Sequence, residues 1–300
     1  MMAHQLLPRA LVSPSWLWES LRTGSALKGN LRILDASWHL PKTGRDPWRE
    51  YKERHIPGAY FFDIDACSDR TSPYDHMLPS EDQFAEYAGR LGLSNNSNVV
   101  VYDASDFGSY SAPRLWWMFR AFGHPHVAVL DGGLKAWLRE GLPVNSGKEP
   151  RQHPTEFRAK LNTSQVVGHE EMEENVEKHS FQVVDARVEG RFRGLQPEPR
   201  EGIEPGHISG SINLPFPDFL TEDGYEKSPE ELRRLFQEKR IDLLRPLVAT
   251  CGSGVTACHI ALASFLCGKE DTAIYDGSWV EWYMRAKPED VVSEGRGKTL

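Results

Sequence analysis

The chain is poor in cysteine, in clustered basic residues and in long apolar runs, and each shortage excludes something. Four cysteines in 300 residues, Cys67, Cys251, Cys258 and Cys267, are too few and too irregularly spaced for a disulfide framework. No Cys-x-x-Cys pair occurs, which removes the usual zinc motif, and no metal is expected. No stretch approaches the roughly 18 apolar residues that cross a bilayer. The start, MMAHQLLPRALVSPSW, has no basic segment followed by an apolar one, so a soluble, non-secreted protein is expected. A net charge of −8 argues against nucleic acid as the main partner, since phosphate binding needs a concentrated basic face. Gly132-Gly133 and Gly252/Gly254 lack the spacing and the lysine of a phosphate-binding loop, and no cofactor is expected.

What is present is an internal repeat. LRILDAS (31–37) is matched by FQVVDAR (181–187), and HIPGA at His55 by HISGS at His207. The capped helix signal at Ser80 is matched at Ser228, the strand into Asp103 by one into Cys251, and DGGLKAW at Asp131 by DGSWVEW at Asp276. Five landmarks recur at spacings of 145–152 residues, which reads as a tandem duplication. Each half alternates short apolar strands with helical segments, the pattern of an open parallel sheet covered by helices. Residues 143–165 are rich in proline and polar residues without a clear period and read as a linker that wraps one domain onto the other. The two domains are then 1–142 and 166–300.

Chemistry concentrates at Cys251. It follows the apolar run Leu247–Thr250 and opens CGSGVTACHIALASFLCG (251–268), in which Val255, Cys258, Leu262, Phe265 and Leu266 recur at helical spacing. The expectation is a strand, a tight loop and a helix with one buried face. A helix N-terminus carries unpartnered N–H groups and the positive end of the dipole. Gly252 and Gly254 would let the loop curl until its amides converge near the sulfur. Such a setting lowers a cysteine pKa from about 8.5 into roughly the 3.5–7.5 range and supplies a thiolate nucleophile. In the first half Asp103 stands at the matching position, followed by the longer ASDFGSYSAP (104–113), so the second half is expected to carry the chemistry and the first to wall the pocket.

The two αβ repeats, the HIPG-type turn in each, the cysteine loop confined to the second and the DGS-W-EW stretch together resemble the tandem-domain rhodanese (sulfurtransferase) family over nearly the whole chain. The resemblance implies an α/β fold of two rhodanese-like domains, each an open parallel sheet flanked by helices, with the nucleophile in 166–300. Within the family the loop CGSGVT (251–256) is similar to that of members acting on 3-mercaptopyruvate, whereas members acting on thiosulfate carry a more basic loop. Charge points the same way, because thiosulfate is a dianion and Gly252-Ser253 offers no cation beside the thiolate. A single carboxylate needs its cations farther off, and RVEGRFRGLQPEPREG (187–202) provides Arg187, Arg191, Arg193 and Arg200 in a loop expected on the same sheet edge. The resemblance singles out Arg191 and Arg200 as substrate anchors, with Gly252, Gly254, Val255 and Thr256 as the cradle. It also implies that Ser253 acts with His76 and Asp65 reaching across from the first half, Asp63 being the alternative carboxylate. Sulfur acceptors such as thioredoxin, dihydrolipoate or cyanide, hydrogen sulfide as a product, and a location in the cytoplasm with a mitochondrial share follow from the same resemblance.

Three other readings remain open. Thiosulfate sulfurtransferase shares the thiol chemistry. A cysteine-dependent phosphatase would need an arginine where Ala257 stands, and without it a phosphoryl group has no bidentate partner. A non-catalytic binding module would have no use for the retained cysteine. Cys258 reads as core, Cys67 and Cys267 as candidate exposed, redox-sensitive thiols, and Trp116, Trp117, Phe119 and Phe122 on a helix opening at Pro113 as packing.

Overall fold

Short β-branched runs such as VVVY (99–102) become strands, and serines placed ahead of amphipathic segments become helix caps. A computed structural model describes residues 10–23, 30–150 and 152–298. In the first half the elements are β1 (Leu11–Val12), α1 (Pro14–Thr23), β2 (Leu31–Asp35), α2 (Pro47–Glu53), β3 (Ala59–Phe61), α3 (Glu81–Arg90), β4 (Asn98–Tyr102), α4 (Ala112–Ala121), β5 (Val127–Leu130) and α5 (Gly133–Arg139). The five strands form one parallel sheet in the order β1-β5-β4-β2-β3.

The second half repeats the plan with β6 (Val166–Val167), α6 (His169–Lys178), β7 (Gln182–Asp185), α7 (Glu189–Arg193), β8 (His207–Ile208), β9 (Ile212–Asn213), α8 (Pro229–Glu238), β10 (Leu247–Thr250), α9 (Ala257–Leu266), β11 (Ala273–Tyr275), α10 (Ser278–Arg285) and β12 (Val291–Val292). Its parallel sheet runs β6-β11-β10-β7-β9, and β8 pairs antiparallel with β12. The central strand is thus β4 in one sheet and β10 in the other, the strands that lead into Asp103 and Cys251. Both predicted serine caps are full capping boxes, Ser80 with Gln83 and Ser228 with Glu231.

Both faces of each sheet are buried, which is why the strands read as apolar runs rather than alternating ones. In the first sheet Ile33, Val100, Tyr102, Ala128 and Leu130 pack on Leu17, Leu134 and Trp137. Residues of opposite phase, Val99, Val101, Val127 and Val129, are equally buried. Phe84 stacks on Phe122 at 4.4 Å and meets Phe119 edge-on, and Trp116 and Trp117 are buried in α4, so the aromatic cluster is packing. The second core gathers Val183, Val248, Ala273 and Tyr275 on Trp279 and Trp282.

Two departures from the sequence reading matter for the site. Helix α9 has no solvent face over Ala257–Ser264, because its small residues Ala257, Ala261 and Ala263 are buried along with the large ones. The compact units also do not follow one cut in the chain. The first comprises the described residues up to Cys67 with Pro79–Leu161 and Thr221–Glu226; the second comprises Ser68–Leu78, Asn162–Leu220 and the chain from Lys227. Each unit therefore includes a segment from the other half, and the expected linker divides after Leu161. Its first part is strapped to the first unit: Asn145 pairs with His55, Thr155 N–H donates to Gly89 O at 3.0 Å, and Phe157 is buried against Phe84. Among the described residues no helix is long and apolar enough to cross a membrane.

Candidate active site

Strand β10 lies between β7 and β11, with Thr250 in register with Asp185, so the loops after β7 and β10 leave the same sheet edge. The loop 251–256 is shaped from both ends. Gly254 takes φ +83°, open to glycine at no steric cost, and its N–H donates to Cys251 Sγ at 3.1 Å. From the other side α10 grips the loop: Trp279 N–H donates to Cys251 O (2.9 Å) and Val280 N–H to Gly252 O (3.1 Å). Ser278 adopts φ +51°, donates its hydroxyl to Tyr275 O (2.8 Å) and accepts the Cys251 N–H (3.2 Å). The serine of the DGSW stretch therefore fixes the backbone under the nucleophile.

Gly252 does something other than expected. Its backbone is not left-handed; instead a Cβ at this position would stand 2.9 Å from Arg191 Nη2 and 3.9 Å from Arg200 Nη1. Its bare Cα makes room for the Arg191 guanidinium. Val255 and Thr256 are buried and accept the N–H groups of Cys258 and His259 on their carbonyls, forming the junction into α9.

The four arginines of the loop after β7 have separate fates. Arg187 is fully buried, bound to Asp185 by both Nε and Nη2, to Glu198 by Nη1 (2.8 Å) and to Gly206 O, with its guanidinium 4.7 Å over the Trp279 ring. Burial opposes its charge, but Asp185 and Glu198 outweigh burial and hold its pKa above the ordinary arginine value. Arg193 is a surface ion pair with Glu294 at 2.7 Å. Arg191, in α7, is bound by Glu198 through Nε (3.2 Å) and Nη2 (2.5 Å) and lies against Gly252. Arg200 is held by Asp75 at 2.6 Å. Arg191 and Arg200, expected from sequence as anchors, are the two arginines with guanidinium atoms within 4 Å of a Cβ placed at Gly252.

His76 belongs to the segment 68–78 of the second unit. It is 5% exposed, has φ +63°, and its Nδ1 is 2.9 Å from Ser253 Oγ. Two residues on, Leu78 N–H donates to Asp276 Oδ2 at 2.7 Å, so one short stretch presents Asp75 to Arg200 and His76 to Ser253. Asp65 lies in the first unit, where its exposed carboxylate accepts the Trp38 indole N–H at 3.1 Å; Asp63 caps the N–H groups of Asp65 and Ala66.

Sequence reasoning missed Glu198 and Asp75, and marked Asp276 and Ser278 only as part of the DGSWVEW landmark. Glu198 and Asp75 had one visible signal, an acid among or beside the residues already singled out. Cys67 is buried, not exposed as expected, and burial pushes its thiol up to about 12; Cys267 is half-buried and also raised; the Cys258 thiol donates to Gly254 O. Among the described residues no group of three or more His, Cys, Asp or Glu is placed to hold a metal ion.

The matching loop of the first unit is closed on itself. Asp103, at the position of Cys251, turns its carboxylate into its own loop and accepts the N–H groups of Ser105, Tyr110, Ser111 and Ala112 at 2.8–3.0 Å. Leu134 N–H donates to Asp103 O just as Trp279 donates to Cys251 O. What the second unit arranges is a thiol at a helix-entry loop, a hydroxyl–imidazole pair and two guanidiniums, a set suited to nucleophilic attack on an anionic donor.

A family described as the rhodanese-like domain matches residues 13–140 and 168–285. The 3-mercaptopyruvate sulfurtransferase of Homo sapiens is 66% identical over 298 residues, covering 99% of this chain and all of the relative. The thiosulfate sulfurtransferase of Bos taurus is 59% identical over 298 residues, covering 99% of each chain. The crystal structure of SseA from Escherichia coli, described as showing the rhodanese fold and catalytic mechanism of 3-mercaptopyruvate sulfotransferases, superposes with a TM-score of 0.79 at 35% identity, covering 90% of this chain and 98% of that one. Fold, repeat and sequence agree: the chain belongs to the rhodanese-like family in both of its halves.

Proposed function

We propose that the protein is a sulfurtransferase that takes sulfur from 3-mercaptopyruvate, carries it as a persulfide on Cys251, and passes it to a thiol acceptor or cyanide. The observation that carries this reading is the cation-free Gly252-Ser253 with the Arg191 guanidinium against Gly252. A donor with a single carboxylate finds its cations at one end and leaves its thiol to face Cys251.

In the first step the Cys251 thiolate attacks the donor's sulfur. The carbon–sulfur bond breaks with its electron pair going to carbon, and pyruvate leaves as its enolate. Arg191 and Arg200 hold the carboxylate, in the donor and in the transition state alike. Ser253, bonded to His76, delivers the proton that converts enolate to pyruvate, and the imidazole re-protonates the hydroxyl. The outer sulfur of the persulfide is then taken by an acceptor thiolate, such as that of thioredoxin or dihydrolipoate. In a dithiol acceptor the second thiol closes a disulfide and releases hydrogen sulfide. The proposed location, cytoplasm with a mitochondrial share, is checked by fractionation.

Intact mass after exposure to 3-mercaptopyruvate without acceptor tests the reading. One added sulfur atom is expected, absent in Cys251→Ser; an unmodified wild-type chain would sink it. Thiosulfate is the second donor to try, because the Bos taurus relative carries that name at 59% identity.

A further inference from the structure

The arginine loop holds a carboxylate that the proposed reaction never touches. Glu198 is 5% exposed, yet it accepts three guanidinium N–H bonds, one from Arg187 and two from Arg191. Arg187 is itself immobilised by Asp185 at the end of β7, by Gly206 O and by the Trp279 ring. Rigidity therefore passes outward along an alternating row of charges, Asp185, Arg187, Glu198 and Arg191, to the guanidinium that lies against Gly252.

We propose that Glu198 is a positioning residue that sets donor specificity, pinning Arg191 and cancelling its charge so that the site favours a monoanionic sulfur donor over a dianionic one. This rests on the sulfurtransferase reading above. The row of four is neutral, and Arg200 is likewise offset by Asp75. A donor carboxylate therefore meets oriented N–H groups rather than surplus positive charge. Oriented donors suit a planar carboxylate. Surplus charge would attract a dianion twice as steeply as a monoanion, since Coulomb energy scales with the product of charges. Glu198 removes that surplus at its source, because its carboxylate bonds both Arg187 and Arg191.

The test uses the full-length protein, Glu198→Gln and Glu198→Asp, with melting curves to verify folding. The rate of persulfide formation on Cys251 is measured with 3-mercaptopyruvate and with thiosulfate at low and high salt. Glu198→Gln leaves Arg191 uncompensated, and the ratio of kcat/KM for thiosulfate to that for 3-mercaptopyruvate is expected to rise about tenfold, less so at high salt. Glu198→Asp keeps the charge and shifts the guanidinium, so KM for 3-mercaptopyruvate rises while the ratio stays near wild type. A merely structural role would slow both donors alike. An unchanged ratio in folded Glu198→Gln, or the same change in Glu198→Asp, overturns the proposal. Wild-type protein gives an independent arm if the glutamine variant fails to fold: sulfate should compete with donor no better than pyruvate does, and stronger inhibition by sulfate refutes charge compensation. A wild-type chain that takes no sulfur from 3-mercaptopyruvate brings down the underlying reading instead.

Discussion

Gly252→Ala is the smallest change that tests whether Arg191 must lie on the cysteine loop. The backbone of Gly252 is not left-handed, so alanine fits its dihedral angles and the added methyl acts only through space. That methyl would stand 2.9 Å from Arg191 Nη2, at least half an ångström inside ordinary contact. A free arginine tip would swing aside at little cost. Here two bonds to Glu198 oppose the swing, so the guanidinium either leaves Glu198 or loses its aim at the donor carboxylate. A hydrogen bond to a charged group contributes about 1.5–3 kcal/mol. At about 1.4 kcal/mol per decade, KM for 3-mercaptopyruvate should rise about 10- to 150-fold. Because the lost contact binds donor and transition state alike, kcat should change less than about threefold. Steady-state pyruvate release at saturating thiol acceptor measures both constants, and Arg191→Gly sets the ceiling for the effect. A folded Gly252→Ala protein whose KM stays within about twofold of wild type refutes the reasoning.

The other expectations concern proton transfer, pH and thiol reactivity. His76→Asn keeps a residue that tolerates φ +63° while removing the imidazole, and kcat for pyruvate release should fall about 100-fold or more with KM little changed; a kcat within about threefold of wild type removes His76 from the chemistry. Burial, only partly offset by hydrogen bonds from Ser37, raises Asp35 from 3.8 to about 6. The folded state holds that proton more tightly than the unfolded chain, so the stability it confers is lost as pH rises between those values and stays lost above them. About two pKa units correspond to about 3 kcal/mol. Asp35→Asn should therefore stabilise the first unit at pH 7.5 by up to that amount and flatten its urea midpoint across the window; an unaltered pH slope would count against it. Cys67, buried with its thiol near 12, should resist iodoacetamide at pH 8 in the native protein, and alkylation before unfolding would contradict its placement.

Much of this architecture was legible because duplication supplies its own control. Asp35 and Asp185 end equivalent strands, Ser80 and Ser228 cap equivalent helices, and the two sheets share one strand order. That Arg191 and Arg200 meet the cysteine loop and that His76 meets Ser253 was legible through residue type and the family's pattern. Other features depend on which loops meet in space, and no local pattern records that. Glu198 looks like any loop acid until Arg187 and Arg191 are seen to share it. Gly252 was read as a residue that lets the loop curl, whereas its backbone is not left-handed and its missing Cβ leaves room for the Arg191 guanidinium. The all-round burial of α9 escaped notice because alanine gives almost no periodic signal.

The self-capped loop of the first unit has a consequence for how the halves can change. Asp103 satisfies four main-chain donors at once, so exchanging it for cysteine would strand those amides in the interior before any chemistry could begin. Placing a nucleophile there would require the whole loop to be rebuilt around an external guest. One carboxylate, folded back on the chain that bears it, keeps any single substitution from turning this loop into a thiolate site.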